Sequence, residues 1–235
     1  MNLFNSRSYF GFIVFASLLF CIIFFIEKIN GRFWLNDFKV YYSAAQAFLH
    51  GEKIYGTPFG LDTGYYKYSP FILLLFTPYC LFFFGTASVI HFMVLSVSAI
   101  VSVISINNII GKYIFTKKNE KESILMSIVL LCIAVHLVRE LHLGNVNIIV
   151  LLLVSSALRS ILKSQFNFSG IFIALAIIIK PYFFFLLFPL IVFKKWRTIF
   201  SLSISLSFFM LTTILIFGFS GSYHLHYEWF RSMLE

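Results

Sequence analysis

The feature that most constrains this chain is a set of apolar runs with no polar face, among them Phe82-Phe83-Phe84 and Phe183-Phe184-Phe185. A helix that is apolar all round must sit in lipid or deep in a core. Such stretches cover residues 10–26, 70–84, 87–110, 123–138, 146–158, 168–179, 181–193 and 199–217. Hydrophobic residues make up 60% of the chain and charged ones 11%, far from the balance of a soluble domain. Arg7 followed by the run from Phe10 to Ile26 resembles the start of a signal peptide, but no small-residue cleavage site follows, so the segment reads as a retained anchor.

A helix needs roughly 20 residues to cross a bilayer core. The stretch 70–84 is shorter, opens with Pro70 and contains Pro78, and so reads as re-entrant or interfacial. Counting the other seven stretches as crossings places Lys112, Lys117, Lys118, Lys121, Arg159, Lys163, Lys194, Lys195 and Arg197 in cytoplasmic loops, as the positive-inside rule asks. A bend or helix break is expected at Lys180-Pro181; a single kinked helix over 168–193 would instead export Lys194 to Arg197. The expectation is thus an all-α polytopic membrane protein, one membrane domain over 1–235, with about seven transmembrane helices. Residues 27–86 form its first extracytoplasmic loop.

The net charge of +9 lies in short clusters between apolar runs rather than along one polar surface, which argues against a nucleic-acid partner. Cys21, Cys80 and Cys132 sit inside apolar stretches without metal-ligand spacing and read as packing residues. His224, His226 and Glu228 alternate near an interfacial Trp229, and no metal is assigned to them.

Polar residues unexplained by topology gather on the outward side. Asn36-Asp37 precedes an apolar pattern at Phe38, Tyr41, Tyr42, Ala45, Phe48 and Leu49, the spacing of an amphipathic helix lying on the membrane, with Gly51 as its stop. Residues 51–64 are rich in Gly, Pro, Asp and Thr and read as irregular. From spacing alone, Asp37 is a helix-start residue that complements the dipole.

The run Asp37-Phe-Lys-Val-Tyr41-Tyr42, then Gly51-Glu-Lys-Ile-Tyr55, then Tyr68-Ser-Pro70 opening an apolar segment, resembles glycosyltransferase family 87, of the GT-C superfamily. Gly144-Asn-Val-Asn147 resembles the family's Gly-Gln-Val-Asn element, and Lys180-Pro181-Tyr182 its Lys-Pro stretch. Ser69 and Asn145 depart from the usual proline and glutamine. The chain is shorter than is common in the family, and is expected to lack the variable C-terminal helices.

The resemblance implies an inverting glycosyltransferase of the plasma membrane that moves a sugar from a polyprenyl-phosphate donor to a glycan or glycolipid acceptor on the outer face. The sugar is a hexose, and mannose by analogy. It implies Asp37 as the general base on the acceptor hydroxyl. Candidates for the donor phosphate or substrate are Lys180, Arg139, His142, Lys67, Tyr41 and Asn147, with the lipid-linked sugar as co-substrate and no further cofactor. Lys180 also reads as a snorkelling helix-end residue, Arg139 with Glu140 as an exposed ion pair, and Gly144 as a plain turn. The rival readings are a transporter or channel lined by Asp37, Arg139 and Lys180, and a non-catalytic membrane subunit.

Overall fold

In the computed structural model, residues 7–33, 35–60, 64–114 and 122–234 are described. They are almost wholly helical; among them the one strand-like contact is an antiparallel bridge between Pro58 and Tyr65. The lysine-rich loop at Lys117, Lys118 and Lys121 lies outside the described residues. The chain divides into two compact units that interleave in sequence, Met1–Leu35 with Val89–Ser155, and Asn36–Ser88 with Ser156–Glu235.

Unit 1 holds α1 (Arg7–Ile29), most of α4 (Phe84–Tyr113), α5 (Glu122–Cys132), α6 (Ala134–Leu143) and the start of α7 (Asn147–Leu162). Its core is a contiguous set of apolar side chains including Phe12 and Phe20 of α1, Leu95 and Ile104 of α4, Met126 and Leu130 of α5, and Leu141 of α6. Several polar groups inside the long helices find partners, as a lipid setting favours, whereas the Ser105 hydroxyl of α4 is buried without one. Tyr9 donates to Asn108 at 2.7 Å, and Ser96 and Ser102 donate to carbonyls one turn back at 2.9 and 2.7 Å.

Unit 2 holds α2 (Asn36–Leu49), α3 (Pro70–Phe76) with a 3-10 turn over Thr77–Leu81, and α8 (Phe166–Ile179). A second 3-10 turn (Pro181–Leu186), α9 (Leu187–Val192) and α10 (Trp196–Leu234) complete it. Helices α8 and α10 touch backbone to backbone. A Cβ on Gly170 would lie 2.5 Å from the Leu202 nitrogen, and Ser169 Oγ meets Thr198 Oγ1 at 3.0 Å.

Among the described residues three helices are long and apolar enough to cross a membrane, within Tyr9–Ile29, Phe84–Tyr113 and Trp196–Leu234. A fourth joins them if α5 and α6, bent by 64° at Ile133, count as one span. The remaining expected spans appear as shorter apolar helices of 10–17 residues. The break at Lys180 is present: its extended backbone (φ −139°, ψ 98°) separates α8 from the turn opened by Pro181. The last expected span ends at Gly218, whose φ of 71° and ψ of 168° kink α10, and the residues beyond it are helical.

Two expectations need correcting. The stretch 139–145, which lies between two apolar runs and reads from the sequence as a short outer loop, is mostly helical: Arg139, Glu140 and His142 lie on α6, and only Gly144 to Val146 turn. Helix α2 is present and Gly51 ends it, but it is more than a one-faced surface helix. It also buries Val40, Ala44 and Ala47, because Gly60 and Gly64 pack on Val40 and α3 covers a further side.

Candidate active site

In unit 2, α2 starts after Leu35, whose φ of 43° makes a sharp entry. Asp37 is half-buried in its first turn, where a carboxylate complements the helix dipole. One turn on, Tyr41 is buried, with its ring 4.9 Å from Phe76 and 5.1 Å from Tyr68. Its hydroxyl lies 3.0 Å from that of Tyr68. The loop between α2 and α3 folds around further tyrosines. Tyr55 donates to the Tyr68 carbonyl at 2.8 Å, and Tyr66, wholly buried, donates to the Ser69 carbonyl at 3.4 Å. Ser69 in turn caps α3, its Oγ accepting from the Ile72 N–H at 3.5 Å ahead of Pro70 in the first turn. A proline in the place of Ser69 would supply no such cap.

Burial first, then the Tyr68 hydroxyl and the Asp37 charge, holds the Tyr41 phenol well above its usual range. Burial does the same to Tyr55, with Glu228 adding to it, and to Tyr66, with Tyr55 and Tyr68 adding to it. These phenols stay neutral at ordinary pH, so they position and donate, and the carboxylate that acts on Tyr41 is Asp37. Lys67 is exposed, and its carbonyl accepts from Trp229 Nε1 at 3.1 Å. Lys180 is half-buried at the α8 break, with its Nζ 5.9 Å from the Tyr182 ring centroid.

Arg139, His142 and Asn147 belong to unit 1, on the last two turns of α6 and at the start of α7. Gly144 ends α6 with φ 68°, a conformation a side chain would strain. The Gly144 and Asn145 N–H groups return to the Leu141 and Glu140 carbonyls at 3.2 and 3.1 Å, a closing pattern that favours glycine at this place. His142 Nδ1 meets Glu27 Oε2 at 2.8 Å. Asn147 donates from Nδ2 to Glu140 Oε2 at 2.8 Å and from its backbone N–H to Asn145 Oδ1 at 3.1 Å. Glu140 is therefore engaged with Asn147 rather than with Arg139, which is exposed.

Three contributors escaped the sequence reading. His91, wholly buried on α4, contacts the Gly144 carbonyl at 3.0 Å through Nε2 and so fixes the turn; its signal was a lone histidine inside an apolar span, a costly placement. Glu27 escaped because its partner lies 115 residues away, and the contact of Glu140 with Asn147 escaped because that carboxylate reads from the sequence as paired with Arg139. Among the described residues no three His, Cys, Asp or Glu side chains come together to hold a metal. His224 pairs with Glu228 at 3.3 Å.

The chain is 28% identical over 184 residues to an alpha-(1->3)-arabinofuranosyltransferase of Corynebacterium glutamicum, a match that covers 78% of this chain and 43% of the relative. The chain thus matches less than half the length of that protein. No solved structure matches it. A family model for glycosyltransferase family 87 matches residues 66–235, most of the chain. With apolar helices long enough to cross a membrane, this chain belongs to glycosyltransferase family 87.

Proposed function

We propose that the chain carries out inverting transfer of a glycosyl unit from a polyprenyl-phosphate donor to a glycan or glycolipid acceptor at the extracytoplasmic face of the plasma membrane. The observation that carries this is the setting of Asp37: a half-buried carboxylate in the first turn of α2, beside phenols that burial keeps neutral. Asp37 takes the acceptor hydroxyl proton as that oxygen attacks the anomeric carbon, and the polyprenyl phosphate leaves from the opposite face of the sugar. An Asp carboxylate is a weak base, with an unperturbed pKa of about 3.9. Proton removal therefore comes late, once the hydroxyl is bonding to an oxocarbenium-like carbon, and positioning supplies much of the rate.

The departing phosphate needs cations. Lys180 and Lys67 are candidates within unit 2, and Arg139 and His142, with Asn147 as a polar contact, are candidates on the α6–α7 turn. The sugar reads as a hexose by family analogy. The relative's printed activity, arabinofuranosyl transfer, favours a pentofuranose as a second reading.

The test supplies polyprenyl-phosphate mannose and polyprenyl-phosphate arabinofuranose to the reconstituted chain and to Asp37→Asn. Transfer from either donor that falls by about two to four orders of magnitude in the variant, with an unchanged melt, is the expected result. Full activity of the variant removes Asp37 from the mechanism. Inertness of the wild type with both donors favours the non-catalytic reading. Sidedness is read separately, by labelling D37C, H142C and K180C on intact cells with an impermeant thiol reagent, in a background lacking the three native cysteines. All three label from outside, whereas K118C does not.

A further inference from the structure

The starts of α8 and α10 frame a groove of about 580 Å³ whose lining includes Gln165, Phe166, Trp196, Arg197 and Phe200. A smaller hollow of about 360 Å³ shares Phe166, Trp196 and Arg197 and adds Lys194 and Lys195. The two helices start from the same end: Ser201 Oγ donates to the Asn167 carbonyl at 2.8 Å, and Ser169 meets Thr198. Both positive dipole ends therefore open here, and Gln165 supplies no side-chain cap to α8.

Three cations join them. Lys194 is held at the end of α9 in a left-handed turn (φ 52°), with Lys195 next to it in the chain. The Arg197 guanidinium is held 5.8 Å from the Phe166 ring centroid. No Asp or Glu lies anywhere from Leu141 to Tyr227, so no carboxylate on α8, α9 or the membrane-spanning part of α10 offsets this charge.

The outer rim is apolar: Phe168, Trp196 and Phe200 are 58%, 57% and 69% exposed. A helix long enough to span starts at Trp196, which places the groove at the membrane edge, at headgroup depth. A free anion would have no use for the exposed rings, whereas acyl chains would lie along them. A zwitterionic headgroup would bring its own cation against three more. We infer that this groove binds the headgroup of an anionic phospholipid, its phosphate seated between the helix starts and Lys194, Lys195 and Arg197, its chains running along Trp196 and Phe200. The inference does not rest on the transferase reading.

The test measures phosphatidylglycerol binding to the detergent-purified full chain by native mass spectrometry, with melting temperature in parallel. Phosphatidylcholine and inorganic phosphate serve as the other two probes. Phosphatidylglycerol should bind and raise the melt, and the other two should not. The K194Q/K195Q/R197Q variant should bind it roughly a hundredfold more weakly, about fivefold per charge removed. Unchanged affinity in that variant overturns the inference, as does equal binding of phosphatidylcholine. A full melt shift with inorganic phosphate alone makes the groove a free-anion site and overturns the lipid assignment. Should the variant not fold, a photoactivatable phosphatidylglycerol on the wild type decides: crosslinks within 163–168 and 194–200 support the site, and crosslinks confined to other segments overturn it.

Discussion

The α2–α3 region of unit 2 and the α6–α7 turn of unit 1 both carry residues expected at the site, and they hold them by opposite means. Around Asp37 the restraint is a buried wall of neutral phenols, in which Tyr41, Tyr55 and Tyr66 lock a loop by packing and by hydroxyl contacts to Tyr68 and Ser69. Around Arg139 and His142 the restraint is a few polar contacts at half-exposed positions, Glu27 to His142 and Glu140 to Asn147, over one buried histidine. A wall of rings fixes a carboxylate rigidly and tolerates little truncation. A set of separate polar bonds can lose one member and keep its backbone, because Gly144 and its two closing hydrogen bonds define the turn independently.

The comparison is broken most sharply by activity. Asp37→Asn is expected to cost two to four orders of magnitude in transfer, whereas Asn147→Ala, which removes one hydrogen bond, should cost about tenfold or less. Comparable losses in the two variants, measured on matched reconstituted preparations, would mean that the turn acts on the reacting groups as directly as Asp37 does.

Stability sharpens it next. Tyr66→Ala opens a cavity beneath the loop and should destabilise unit 2 by about 3–5 kcal/mol. Asn147→Ala should cost about 1 kcal/mol, the net worth of one hydrogen bond. Thermal melts of the two variants in one detergent give the ratio, and equal shifts would show that the phenol wall is no stiffer than the turn.

Where the sequence carried a backbone signal, these regions were legible. Gly51 ends a helix and Gly144 makes a turn as expected, and Lys180-Pro181 breaks a helix. The bend at Ile133 was not legible, since neither glycine nor proline marks it and apolar residues continue through. Ser164 and Lys194 close helices with φ of 58° and 52° although nothing in their side chains asks for it. The place of Asp37 and Tyr41 on one helix was readable because four-residue spacing fixes their neighbourhood. The Glu27–His142 pair was not, because it joins positions 115 residues apart and no local pattern encodes such a contact.

The smallest expected effect is a difference in pH response. Tyr41, Tyr55 and Tyr66 have folded-state pKa values raised above the unfolded value of about 10. Below that pH the phenols are protonated in both states and their stabilisation is fully present. Above it the unfolded chain ionises while the folded one resists, so stability falls as pH rises, by at most about 1.4 kcal/mol per unit for each phenol. The α6–α7 turn contains no tyrosine from Ala134 to Asn147 and has no share in this loss. Tyr41→Phe should therefore be slightly less stable than wild type near pH 8, having lost a hydroxyl contact, yet lose stability less steeply between pH 10 and 11. Melts of the two proteins across that range would show their curves converging, and parallel curves would mean that the Tyr41 phenol ionises as readily in the folded wall as in the open chain.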